Sequence, residues 1–296
     1  MDALIIDARL NEYTMRDRNP NVPWSPEEIG RDAAACREAG ASIVHYHARH
    51  PETGAPSGEA ALYAAAAREI RARCDVLVMP TLGAGQIPNL EDRFAHIEVM
   101  AKDPATRADL VPLDLATTNL PIFTPAGPGG RPALVADDLH YLNTVGMLKQ
   151  LAARSRAVGA VPMAAIWSVG SLRLLDALIA TGSLAEPCYA ELFCTEAGLL
   201  AGHPGTRRGL EAYLDFLPPG RRVWWAVACY GASALELAEF AIERGGHVAL
   251  GLGDYAYPEL GKAPTNADVV AAVAAVARRR GRKLAAPAEL RIGLEA

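Results

Sequence analysis

Residues 25–48 read "SPEEIGRDAAACREAGASIVHYHA", and the change of period inside this stretch decides the fold. Ser25 can cap a helix, Pro26 suits its first turn, and Glu28 stands where a capping box needs an acid. Ile29, Ala33 and Cys36 follow at helical spacing, and Gly40 ends the helix. Directly afterwards "SIVHYHA" is a short β-branched run, the mark of a strand. One helix feeding one strand in so few residues is the unit of a parallel sheet.

Working outward, the unit recurs. Strand-like runs are "ALIIDARLN" from Ala3, "SIVHYHA" from Ser42, "VLVMPTLG" from Val76 and "DLVPLDLATT" from Asp109, then "VPMAAIWS" from Val161, "CYAELFCTE" from Cys188, "RVWWAVACYG" from Arg222 and "HVALGLGD" from His247. Helical patterns separate them, the last being "TNADVVAAVAAVARRRG", opened by Thr265 and Asp268 and closed by Gly281. Eight βα units predict an α/β fold, a (β/α)8 TIM barrel forming a single domain over residues 1–296. A doubly wound open sheet is the alternative, but no G-x-G-x-x-G follows the first strand. The 117–136 stretch, containing "TPAGPGG", is expected to be an elaborated loop after the fourth strand.

At 296 residues and 51% hydrophobic, the chain can bury a large core, and its formal net charge of -5 with scattered arginines argues against a nucleic-acid surface. Five cysteines without a C-x-x-C pair suggest neither a disulfide framework nor a cysteine zinc site, and a reducing, cytoplasmic setting fits. The opening "MDALIIDARL" has an acid at position 2 and too short an apolar run for a signal peptide, and no later run reaches membrane-spanning length.

In such a barrel the chemistry gathers where strands end. His45 and His47 lie two apart near the end of the second strand, so both imidazoles face the interior and make a natural pair of ligands for zinc or another divalent first-row metal. Other strand ends offer Glu12, Thr81, Asp114, Thr117, Glu196 and Asp254. Asp254 follows the glycine-rich "LGLG" and is a candidate general base, or equally a turn acid. "TLGAG" from Thr81 could present backbone N–H groups to an anion, and "ACYGAS" at 228–233 could cradle a phosphate. Trp224 and Trp225 alternate across the seventh strand as core packing would require.

The ordered segments "NPNVPWSPEEI", "AGASIVHYHARHPETGAPS", "VWWAVACYG" and "GGHVALGLGD" resemble the β-keto acid cleavage enzymes, the family of the 3-keto-5-aminohexanoate cleavage enzyme. The resemblance implies a zinc-dependent barrel that condenses a β-keto acid with acetyl-CoA and cleaves the product to acetoacetate and a new CoA thioester. It implies that His45 and His47 bind the metal, that Asp254 is the base, and that Thr81 and Thr117 make polar substrate contacts. Glu12 stands about where the family has a glutamate after its first strand, and a homo-oligomer, with the alanine-rich outer helices as contact surfaces, is implied as well.

The departures are specific. The family usually reads like "GGHVRVGLED" at the eighth strand, so Ala249 stands for a site arginine and Gly253 for the glutamate that is the third metal ligand. Acids usual in the fifth strand are replaced by Met163 and Ala165. The expectation is weaker metal binding unless Glu12, Glu196 or Asp254 substitutes, and tighter binding when Gly253 is changed to glutamate. A barrel that binds a metal or ligand but has lost the condensation chemistry is the alternative function, and a zinc hydrolase or aldolase a third.

Overall fold

The computed structural model describes residues 1–82, 89–136 and 138–295. Eight parallel strands line up in the predicted places: β1 Ile6–Arg9, β2 Ile43–Tyr46, β3 Leu77–Pro80, β4 Leu110–Asp114, β5 Val161–Ile166, β6 Cys188–Thr195, β7 Val223–Tyr230 and β8 His247–Leu250. Neighbours in the chain are neighbours in the sheet, and β8 returns to β1 with Asp7 opposite Ala249. Between β3 and β4 the ring closes where the Asp109 N–H donates to Val78 O at 2.8 Å.

Nine α-helices among the described residues flank the strands: α1 Pro26–Ala39, α2 Ala60–Arg73, α3 Leu90–Met100, α4 Val145–Ala157, α5 Val169–Ala180, α6 Arg207–Leu214, α7 Leu235–Glu243, α8 Asn266–Arg279 and α9 Pro287–Glu295. The capping boxes read from the sequence are present at Ser25–Glu28 of α1 and Thr265–Asp268 of α8. None of these helices is long and apolar enough to cross a membrane.

Two apolar cores follow from the strand alternation. Outward residues such as Val44, Val78 and Val248 meet the helices, whereas Ile5, Ile43, Leu77, Met163 and Tyr189 fill the barrel, closed below by Leu290 and Leu294 of α9. Trp225 belongs to the outer core and Trp224 packs at the edge of the inner one, as their alternation requires. All five cysteines are free. The long segment after β4 carries two small antiparallel pairs, Thr118–Asn119 with His140–Tyr141 and Ile122–Thr124 with Ala133–Val135. It reaches across to the segment after β6 through a bridge between Ile122 and Leu199.

Candidate active site

The inward alternation of β1 puts Asp7 and then Arg9 inside the barrel, and the turn after it brings Glu12 over the end of β2. Glu12 Oε1 lies 3.1 Å from His45 Nε2 and Oε2 lies 2.7 Å from His47 Nε2. These three buried residues each offer a ligand atom, and those atoms lie within 4.8 Å of one another. His45 Nδ1 faces Met79 O at 2.9 Å. A carbonyl only accepts, so Nδ1 carries a proton and, in neutral His45, a lone pair on Nε2 points at the carboxylate.

Two acceptors facing each other in a buried place repel, and a divalent cation between them removes the conflict. Tetrahedral bonds of about 2.0–2.1 Å to nitrogen and oxygen would put ligand atoms roughly 3.4 Å apart, inside the 4.8 Å that spans the three ligand atoms here. Burial lowers the pKa of His47 despite Glu12, which favours the neutral, ligating form. Burial alone would raise the Glu12 carboxyl, but Arg9, then His47 and His45, hold it well below the usual range. The donor set therefore fits a divalent cation.

Arg9, with 2% of its surface exposed, is the hub of the remaining charge. Its Nε donates to both Asp254 oxygens at 3.0 and 3.1 Å, and one terminal nitrogen reaches Glu191 at 3.0 Å. The other reaches the Tyr230 hydroxyl at 2.6 Å and Glu12 Oε1 at 2.9 Å. Tyr230 in turn donates to Glu12 Oε2 at 3.1 Å. Burial pushes the Asp254 carboxyl up to about 8, against the opposing pull of Arg9. Asp7 is raised well above the carboxylate range by burial and by Glu191 beside it. Trp167, Phe193 and Tyr230 form a near-parallel aromatic group, with the Arg9 guanidinium 5.0 Å from the Phe193 ring.

The other expected residues separate. Thr81, 9% exposed, closes β3, and its carbonyl accepts from His96 Nε2 at 2.7 Å. Exposed Thr117 lies on the rim, where its hydroxyl accepts from Asn143 N at 2.9 Å. Asp114 accepts from Trp167 Nε1 at 2.6 Å and from the Tyr141 hydroxyl at 2.7 Å. Glu196 is a turn acid, accepting from Gly205 N at 2.8 Å. In the 228–233 turn, the Gly231 N–H is engaged by Asp254 O at 3.0 Å. Most of "TLGAG", from residue 83 on, lies outside the described residues.

The β-keto acid cleavage enzyme family model matches residues 3–295. The chain belongs to that family. Relatives include the 3-dehydrocarnitine:acetyl-CoA trimethylamine transferase of Rhizobium meliloti, 28% identical over 93% of this chain and 90% of that one. Another is the 3-keto-5-aminohexanoate cleavage enzyme of Acetoanaerobium sticklandii, 26% identical over 98% of this chain and 97% of that one. Among solved structures, a ternary complex of ObcA with a C4-CoA adduct and oxalate superposes with a TM-score of 0.70 at 16% identity, covering 94% of this chain and 68% of that one, a likeness of fold.

Measured against the β-keto acid cleavage enzyme pattern, the apparent losses at the eighth strand need correction. Of the three acids named as replacements for the Gly253 carboxylate, Glu12 stands beside both histidines, whereas Asp254 is held by Arg9 and Glu196 lies in its turn. Gly253 is the counterpart of that move. A Cβ there would sit 2.5 Å from Glu12 Cγ and 2.9 Å from Glu12 N, so a side chain at 253 and Glu12 in its present place exclude each other. A glutamate at 253 would therefore have to displace Glu12 before it could add a ligand. On β1, the strand paired with the one that carries Ala249, Arg9 brings a guanidinium to Asp254. Arg9, Glu191 and Tyr230 were missed from the sequence, although "IDAR" and "CYAELF" carry ionisable residues at inward positions of apolar strands, which was a readable signal.

Proposed function

We propose that the protein condenses a β-keto acid with acetyl-CoA and cleaves the product to acetoacetate and the CoA thioester of the remaining acyl group. The observation that carries this reading is that Arg9 joins Asp254 to Glu12, and through it to His45 and His47, in one buried network at the strand ends. A zinc or other divalent first-row cation held by Glu12, His45 and His47 would polarise the 3-keto oxygen and so acidify C2.

Asp254 then takes the C2 proton, its carboxylate held in line by Arg9 Nε. C2 attacks the thioester carbonyl and CoA thiolate leaves. The thiolate returns to the 3-keto carbon, the C2–C3 bond breaks, and Asp254 gives its proton back to the departing acetoacetate carbon. Arg9 Nε, donating to both oxygens, favours the carboxylate needed in the first step, and burial, which raises its pKa, favours the proton it returns in the last. Thr81, at the β3 end, is the proposed polar contact for the keto acid; Thr117, on the rim with its hydroxyl engaged, supports that role less.

We also propose a cytoplasmic homo-oligomer. The exposed large apolar side chains Ile122, Phe123, Leu134, Leu139 and Leu142 on the segment after β4 support self-association there more than through the alanine-rich helices.

The test is acetoacetate formation from acetyl-CoA and a panel of β-keto acids, with metal analysis of the same preparations. Asp254→Asn should lower turnover by about 10²-fold or more with metal content unchanged. If no keto acid yields acetoacetate while metal is bound, the barrel binds a ligand without the condensation chemistry.

A further inference from the structure

Glu12 has φ +36°, a left-handed backbone conformation strained for any residue with a Cβ. Such strain persists only where the surroundings over-determine it. Here the surroundings come from the loop after β2. Arg49, 1% exposed, donates through Nη1 to the carbonyl oxygens of Glu12 at 2.7 Å and Asn11 at 3.2 Å. Its Nη2 reaches Thr14 O at 3.1 Å and Met15 Sδ at 3.0 Å, and Nε reaches Gly54 O at 2.6 Å. Asn11 ties the same turn to the second histidine, donating to His47 O at 3.0 Å and accepting from His47 N at 2.9 Å.

We infer that Arg49 is a positioning residue for Glu12, setting the geometry of the carboxylate that faces His45 and His47. The inference rests on the reading of those three residues as a cation site. The hydrogen bonds from Arg49 go to main-chain carbonyls and a thioether, so it holds the carboxylate through the backbone that carries it, with a charge attraction to Glu12 besides. Removing its donors leaves buried carbonyls at Asn11 and Glu12 without their guanidinium. The turn then relaxes towards negative φ, and the Glu12 side chain swings away from the imidazoles.

The experiment is a Zn²⁺ titration of metal-stripped full-length protein against a competing chelator, with thermal melts of the same samples, for wild type, Arg49→Met, Arg49→Lys and Arg71→Met. Arg71 is the control: it donates to Arg107 O at 2.6 Å and Asp109 at 2.9 Å, where β4 begins, at the other end of the barrel. Arg49→Met should bind Zn²⁺ tenfold or more weakly, as losses of supporting contacts around metal ligands do, and Arg49→Lys should recover part of that. Arg71→Met should keep wild-type affinity even if its melting point falls. Wild-type affinity in folded Arg49→Met, or an equal loss in Arg71→Met, overturns the positioning role. A wild type that binds no Zn²⁺ overturns the cation site as well, which separates the two failures.

Discussion

At Gly253 the space belongs to Glu12, and this gives two substitutions opposite signs depending on each other. Gly253→Glu alone forces a Cβ to within 2.5 Å of Glu12 Cγ, so Glu12 must leave its place or the turn must open. Metal affinity should fall, with a loss of stability of about 1–3 kcal/mol from overpacking. In Glu12→Ala, Gly253→Glu the Glu12 Cγ obstruction is gone and the new Cβ is left against the main chain at Glu12 N (2.9 Å) and Arg9 O (3.0 Å), so once the turn gives by a few tenths of an ångström a carboxylate can enter from the β8 side, and affinity should exceed that of either single variant. Isothermal titration with Zn²⁺ on the four proteins decides this; additive losses in the double variant would mean that the two positions do not share one space. The histidine pair was legible because two residues on a strand share a face. Glu12 was legible only as one of several strand-end acids, because its approach to the histidines depends on a left-handed turn and on an absent side chain at the sequence-distant position 253.

At the scale of elements, the strands and both capping boxes were legible because their periods are local, whereas the junctions between elements distant in sequence were not. Asn266 shows the difference. It opens α8, fully buried, and accepts from Leu252 N at 2.7 Å while donating to Leu10 O at 3.0 Å and to Asp32 of α1 at 2.6 Å. It thereby pins the segments after β1 and β8, which carry Glu12 and Asp254. Burial pushes the Asp32 carboxyl up to about 7, partly offset by the Asn266 hydrogen bond. The folded protein thus prefers Asp32 protonated, so its contribution to stability is full below the unfolded pKa of 3.8 and is lost as pH rises through 7. Asp32→Asn keeps an acceptor for Asn266 without the charge. Its melting point relative to wild type should therefore rise from pH 5 to pH 8, and thermal melts across that range showing a constant difference would discard the assignment.

For the whole molecule, the consequence of the site is charge held inside a barrel. Arg9 faces Glu12, Glu191 and Asp254, with Asp7 beside Glu191, so one guanidinium stands among four buried acids. The hydrogen bond from Tyr230 to Glu12 helps, but burial still raises Asp7 and Asp254, a sign that the metal-free interior resists the full negative charge. A divalent cation at Glu12, His45 and His47 would relieve this, and because its ligands come from the end of β2 and the turn after β1 it would bind only where those elements are assembled. Binding to the folded state alone stabilises by about 2.7 kcal/mol at a free metal concentration one hundred times the dissociation constant. For a chain of this size that corresponds to roughly 5 °C in melting temperature. Chelation should therefore lower the melting point of the wild type by several degrees, and addition of Zn²⁺ should restore it. In His45→Ala and Glu12→Ala the chelator should have little effect, because the linkage requires the complete ligand set. Scanning calorimetry with and without chelator is the measurement, and a chelator shift of wild-type size in both variants would move the metal away from these residues to another part of the barrel.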